Sequence, residues 1–375
     1  MTQQATPFVL HVDDVPDDLR AWEEFVNGKG EVNIRVCHPE AVSESDLRRA
    51  CVVLVDFKIE HWPARNELDQ VGLKPSNGLA LLPVLQEAAH ALDPQTPRAF
   101  ALYTAETVSI ARGLSQQPHI VARAHNLEWV FYKRATTDQR YAAVVDLAKS
   151  VADLPKPWPE KSPEAGSSLR NWLGLNPDWP WCDFAWEAIQ RCHPPIHEFA
   201  KHTNGVGVIR WLLHRILPYP TFLVDDSHLA ARLRVEVQSL KASLIKVDSP
   251  FSETLSTARY QGHLFNVVGR RWWRAAVDEM VFSLVPEDPT NLTKLHEAIR
   301  KLDPDLKTLE AARLFPVIDH NFSASEVLAT NEEVVQVAPD DWPPFAEPAW
   351  ARKSDVNNDE VLRAIVVNPQ TLQSH

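Results

Sequence analysis

The chain has 375 residues, 45% hydrophobic and 23% charged, enough for two domains with their own cores and ordinary for globular protein. Its net charge of −12 argues against a nucleic-acid partner bound through a basic face. No apolar run approaches the ~18 residues of a membrane span, the amino terminus has no secretory signal, and four cysteines lack dense spacing, so a cytoplasmic protein is expected.

Residues 7–153 alternate strand and helix. Apolar runs at 8–12, 32–37, 51–55, 98–103 and 128–132 predict strands. Helical patterns lie between and after them, at 16–26, 43–50, 78–92, about 107–114, and 137–154. Such alternation predicts an α/β fold, a doubly wound five-stranded parallel sheet covered on both faces. The runs are too continuous for a sheet with one wet face.

The stretch "LPKPWPEKSPEAGSS" is rich in proline and charge, and predicts a stiff, solvated linker over 155–168. It divides a first domain, 1–154, from a second, 169–375. From 169 to about 306 the pattern is helical, with segments at 183–192, 206–217, 225–245, 252–260, 263–284 and 292–302. Residues 306–375 read as short strands and extended chain.

Chemistry concentrates at the ends of the predicted strands. Asp13 and Asp14 follow the first, Asp56 the third, Thr104 the fourth and Lys133 the fifth. Ligands of open α/β sheets bind at the carboxyl ends of strands. Three carboxylates within ~4 Å repel by several kcal/mol even at an effective dielectric of about 20, which a cation relieves. Hard oxygen ligands suit Mg²⁺. A carboxylate can accept a phosphoryl group as an acyl phosphate, Thr104 offers a hydroxyl, and Lys133 a point charge for phosphate.

The motifs "VDD", "LVD", "Tyr-Thr-Ala" and "Tyr-Lys", in that order at four strand ends, with "SNGLALLPVL" opening a helix, resemble the receiver domain of two-component response regulators. The resemblance covers about residues 7–153. It implies a flavodoxin-like sheet, with Asp56 as phospho-acceptor and a Mg²⁺ held by Asp13, Asp14, Asp56 and the backbone carbonyl of Lys58. It further implies a phosphoryl pocket completed by Thr104 and Lys133. A histidine kinase or phosphotransfer protein would be the partner, and a receiver homodimer the assembly. Three features depart from the family. The Asp56-to-Gly78 segment is long, Arg134 stands where proline usually follows the lysine, and Val130 holds the usual place of the switch aromatic, between Trp129 and Phe131.

The second domain is expected to be a non-DNA-binding output of unknown type. Trp172, Trp179, Trp181 and Trp186 read as core or a docking surface. Cys182, Cys192, His193, His197 and His202 carry metal-ligand chemistry, but Pro194 and Pro195 interrupt the i,i+4 spacing of His193 and His197, which favours structural roles. Arg191 and His197 also match a loose ribonuclease-like spacing. Arg270, Arg271 and Arg274 fall on a predicted helix, with an Arg274–Asp278 i,i+4 pair. Two alternatives to a phosphorylated regulator follow. One is a pseudo-receiver scaffold that binds a partner without phosphorylation. The other is a C-terminal nuclease or hydrolase, which requires Arg210, His214, Asp225 and Arg271 to converge.

Overall fold

The computed structural model describes residues 5–62, 74–111, 115–156, 158–159, 162–196, 205–247 and 249–372. The chain divides into two compact units. Unit 1 comprises Met1–Gly174, Pro195–His214 and Gly262–Val268, and unit 2 the remainder.

Unit 1 is built on five parallel strands in the order β2-β1-β3-β4-β5. These are β1 (Phe8–Val12), β2 (Asn33–Cys37), β3 (Ala50–Asp56), β4 (Ala99–Thr104) and β5 (Trp129–Tyr132). Between and after them run α1 (Arg20–Lys29), α2 (Glu44–Arg49), α3 (Gly78–Leu92), α4 (Thr107–Ala111), α5 (Pro118–Ala124), α6 (Thr137–Ala152) and α7 (Ser162–Trp172). This is the doubly wound, flavodoxin-like α/β fold, and it fits a receiver. Every residue of β1, β3 and β4 is buried, as strands covered on both faces must be. The helix expected at about 107–114 is present as α4, and a further helix that was not expected, α5, is opened by Pro118 at its first turn.

The register sets the site. Val12 pairs with Val55, Asp56 with Tyr103, and Thr104 with Tyr132. Four strands therefore stop at nearly the same level, and the residues at and after their ends share one edge. Gly78 opens α3 against that edge. A Cβ there would lie 2.1 Å from the Asp56 carbonyl oxygen, so only glycine permits the approach. Asn77 caps the helix by accepting the Ala80 N–H at 3.0 Å.

Helix α6 is buried on more than its sheet-facing side. Val144, Leu147, Ala148 and Val151 are buried, and so are Ala143, Asp146 and Ser150. Its outer residues meet later parts of unit 1. Asp146 accepts the N–H groups of Leu264 and Asn266 at 3.0 and 2.7 Å. Trp172 donates to the Ser150 carbonyl at 3.2 Å and stacks on His263 at 4.7 Å.

Unit 2 is mixed. Its helices include Cys182–Arg191, Asp226–Leu233, Val237–Ser243, Pro250–Ser256, Arg274–Leu284 and Leu292–Leu302. Three antiparallel strand pairs accompany them: Leu223–Val224 with Trp272–Trp273, Phe315–Ile318 with Ala324–Ala329, and Val334–Val337 with Ala349–Arg352. Trp273 centres an aromatic cluster with Trp181, Phe222 and Tyr260, at 5.8, 5.8 and 5.4 Å. The helix expected over 263–284 begins only at Arg274. Leu264 at φ 68° and Gly269 at φ 83° turn the chain before it, so Arg270 and Arg271 are not helical. No helix among the described residues is long and apolar enough to cross a membrane.

Candidate functional site

Asp13, Asp14 and Asp56 converge. One carboxylate oxygen from each lies within 4.8 Å of the others, and they form the one such group of metal-ligating type among the described residues. Asp13 is buried at the end of β1. Its Oδ1 accepts the Val15 N–H at 2.8 Å, and its own N–H donates to the Cys37 carbonyl at 3.1 Å. Asp56 is buried at the end of β3. Burial drives the Asp13 and Asp56 carboxyls above the usual carboxylate range, although Lys133 pulls both down.

Lys133 is the cation of the site. Its Nζ lies 2.9 Å from Asp56 Oδ1 and 4.0 Å from Asp13 Oδ2. The Lys133 N–H donates to the Thr104 carbonyl at 2.7 Å, which ties the ends of β4 and β5 together. Thr104 is fully buried, and its Oγ1 accepts the Glu106 N–H at 2.8 Å. Glu106 also pairs with the Lys58 ammonium at 3.1 Å. Lys58 makes an antiparallel bridge with Asn77, beside the acids.

Asp14 differs from its two neighbours. Burial opposes its charge, but hydrogen bonds from the His61 and Glu60 N–H groups and the His61 ring hold its carboxyl below the usual range. These contacts fasten the segment that leaves β3 onto the end of β1. Residues 63–73 of that long segment lie outside the described residues.

Beneath the acids lies a second layer. The Lys133 ammonium sits 5.3 Å from the Tyr103 ring centroid, and the Tyr103 hydroxyl accepts from Arg140 on α6. His11 meets Tyr103 edge-on at 4.9 Å. It is fully buried, and burial pushes its imidazole down to about 3, so it is neutral. Val130, at the place of the switch aromatic, is core. His11 and Arg140 carried no mark in the sequence, Tyr103 was marked only as part of the Tyr-Thr-Ala motif and His61 only as part of the long segment after Asp56, because only the fold brings them to the acids.

The donor set fits a hard divalent cation. Its side chains offer carboxylate oxygens alone, from Asp13, Asp14 and Asp56, with Asp13 and Asp56 buried and raised and one ammonium as the facing positive charge. Asp13, Asp14 and Asp56 would hold Mg²⁺, which prefers one or two carboxylates with waters and phosphate oxygens.

The candidates in the rest of the chain have structural contacts. Arg210 donates through Nε to Glu128 at 2.6 Å and through Nη1 to Asn126 at 2.6 Å. His214 meets the Glu128 carbonyl at 2.8 Å. Asp225 caps a helix by accepting the His228 N–H at 2.9 Å, and Arg271 donates to the Leu217 carbonyl at 2.7 Å. Arg274 lies 3.1 Å from Glu347, and at 4.0 Å its expected pair with Asp278 is the looser one. Arg191 pairs with Glu187. Cys182 and Cys192 are buried, and His193 has φ 48°. His197 and His202 lie outside the described residues. Trp172 and Trp181 are buried, and Trp179 stacks on Trp181 at 4.6 Å.

No protein-family model matches the chain, and no curated protein matches it. Among solved structures the chain is similar to RcsB from Salmonella enterica serovar Typhimurium, bound to promoter P1flhDC in the presence of the phosphomimetic BeF3−. The identity is 14%, over 56% of this chain and 98% of that one, with a TM-score of 0.25.

Proposed function

We propose that the chain is a response regulator of a two-component phosphorelay. Unit 1 is its receiver and accepts a phosphoryl group on Asp56 with Mg²⁺. The observation that carries this is the meeting of Asp13, Asp14 and Asp56 within 4.8 Å, with the Lys133 ammonium 2.9 Å from Asp56. The sheet order and the place of Thr104 on the next strand support it.

In this reading a carboxylate oxygen of Asp56 attacks the phosphorus of a phosphohistidine on a kinase or phosphotransfer protein. The P–N bond breaks, the imidazole leaves, and an acyl phosphate forms. Asp13, Asp14, Asp56 and the Lys58 carbonyl would hold Mg²⁺, which when bound neutralises charge on the phosphoryl oxygens. Lys133 moves from the carboxylate to the phosphoryl group, which carries about −1.5 to −2 charges where the free carboxylate carried one. Thr104 gives its hydroxyl hydrogen to a phosphoryl oxygen. The rest of the chain is the output, and it does not bind DNA.

The test is incubation with Mg²⁺ and acetyl phosphate or phosphoramidate, read by intact mass. A phosphorylated species is expected in the wild type and not in Asp56→Ala. Its absence from the wild type with these donors and with a cognate kinase sinks the proposal.

The burial of Val130 in place of a switch aromatic favours one other reading, a pseudo-receiver that binds a partner regardless of phosphate. Equal partner affinity for wild type, Asp56→Ala and Lys133→Ala would select it.

A further inference from the structure

Three donors reach Asp14, and all three end on the same atom. The Glu60 N–H, the His61 N–H and the His61 ring Nδ1 lie 2.6, 2.8 and 2.8 Å from Oδ2. No described residue donates to Oδ1. A carboxylate binds a cation through one oxygen or through both, and here the second mode requires Oδ2 to surrender its donors.

The donors are held in place themselves. Ile59 is fully buried, and its N–H donates to the Ser76 carbonyl at 3.3 Å. The His61 carbonyl meets the His38 ring at 3.1 Å, and Trp62 donates to the Pro75 carbonyl at 2.8 Å. The 60–61 peptide is thus clamped on both sides, so Oδ2 keeps its donors and Oδ1 is the oxygen left for a cation.

We propose that His61, with the Glu60–His61 peptide, is a positioning device. It confines Asp14 to single-oxygen coordination and so sets a preference for Mg²⁺ over Ca²⁺. The proposal rests on the metal-binding reading of Asp13, Asp14 and Asp56. Mg²⁺ takes six ligands in near-ideal octahedral geometry, whereas Ca²⁺ accepts two-oxygen carboxylates and six to eight ligands. A carboxylate with one oxygen saturated by N–H donors suits the smaller ion. Outer-shell partners of this kind change metal affinity about 10–100-fold.

His61 is 70% exposed while Asp14 is 7% exposed, so replacing the imidazole spares the core. The experiment titrates the full-length protein with MgCl₂ and, separately, CaCl₂, and follows amide chemical shifts. His61→Ala is expected to lose about tenfold or more in Mg²⁺ affinity and less in Ca²⁺ affinity, so the preference falls. His61→Asn, which places a side-chain N–H near the lost Nδ1, is expected to restore most of it. An unchanged Mg²⁺/Ca²⁺ ratio in His61→Ala, or an Asn variant no better than Ala, overturns the proposal alone. A wild type that binds neither ion overturns the metal site and this proposal with it.

Discussion

The Lys133 ammonium stands 2.9 Å from the Asp56 carboxylate, and 4.0 Å from Asp13, so one cation answers two buried acids. Without metal, Lys133→Ala leaves them facing each other unscreened. The expected loss is about 1–2 kcal/mol, between the values for exposed and buried pairs. Urea unfolding in EDTA checks it, and added Mg²⁺ is expected to recover part of the loss. Wild-type stability in EDTA would contradict this account of the pair.

Asp13→Asn should act in the opposite direction. Burial already raises the Asp13 carboxyl, and the neutral amide removes one like charge while its oxygen can still accept the Val15 N–H. A gain of about 1 kcal/mol in metal-free buffer is expected, well below the full ε ≈ 20 repulsion of a close pair. Mg²⁺ binding should weaken at the same time. Thermal unfolding with and without MgCl₂ reads both effects, and a lower midpoint in metal-free buffer would refute the first.

Asp146 supplies a pH signature. Burial pushes its carboxyl up to about 6, against two backbone N–H donors. A folded-state pKa above the unfolded one means that the folded form binds the proton more tightly. Its contribution to stability is therefore highest at acid pH and falls as pH rises through 4 to 6, by up to about 3 kcal/mol. Asp146→Asn should flatten that fall. The readout is the difference between wild type and variant in denaturant midpoint at pH 5 and pH 7.5, since other acids titrate in both proteins alike.

Glu128 is a fully buried carboxylate held by Arg210, and burial raises it despite that partner. Arg210→Ala strips the partner from a buried charge, and a loss of about 3 kcal/mol is expected. Glu128→Gln combined with Arg210→Met should recover most of it, because no charge is then left unpaired. Chemical denaturation of both variants tests this, and additive losses would refute it.

The sheet and its acids were legible in the sequence for a physical reason. Strands buried on both faces leave continuous apolar runs, and their last residues name the site edge, so Asp13, Asp14, Asp56, Thr104 and Lys133 could be placed from the residue pattern. The helix at Leu292–Leu302 was equally plain, with Asn291 as its cap. What failed was local backbone. The helix expected over 225–245 breaks at Arg234, a non-glycine residue at φ 57°, and Trp272–Trp273 pair as strand where helical periodicity continued. The partners of Asp14 were hidden differently, since His61 is 47 residues away and the length of the segment that carries it does not say which of its residues turns back to the acids.

The cover over α6 decides where the chain can be cut. A fragment ending at residue 168 lacks Arg210, His214, Leu264 and Asn266, and so exposes the outward side of α6 and leaves Glu128 and Asp146 without these partners. Such a fragment is expected to unfold at lower denaturant than unit 1 does in the full chain, which hydrogen exchange at β5 and α6 would register. Equal protection in both would contradict this.

The chain passes between its two units five times, after residues 174, 194, 214, 261 and 268. A receiver joined to its output by one linker can be copied, moved and fused to a different output as a cassette. Here no single cut frees the α/β sheet with its own cover intact. Recombination of whole modules is thus closed to this architecture, and any change in unit 2 has to come by substitution within the existing chain.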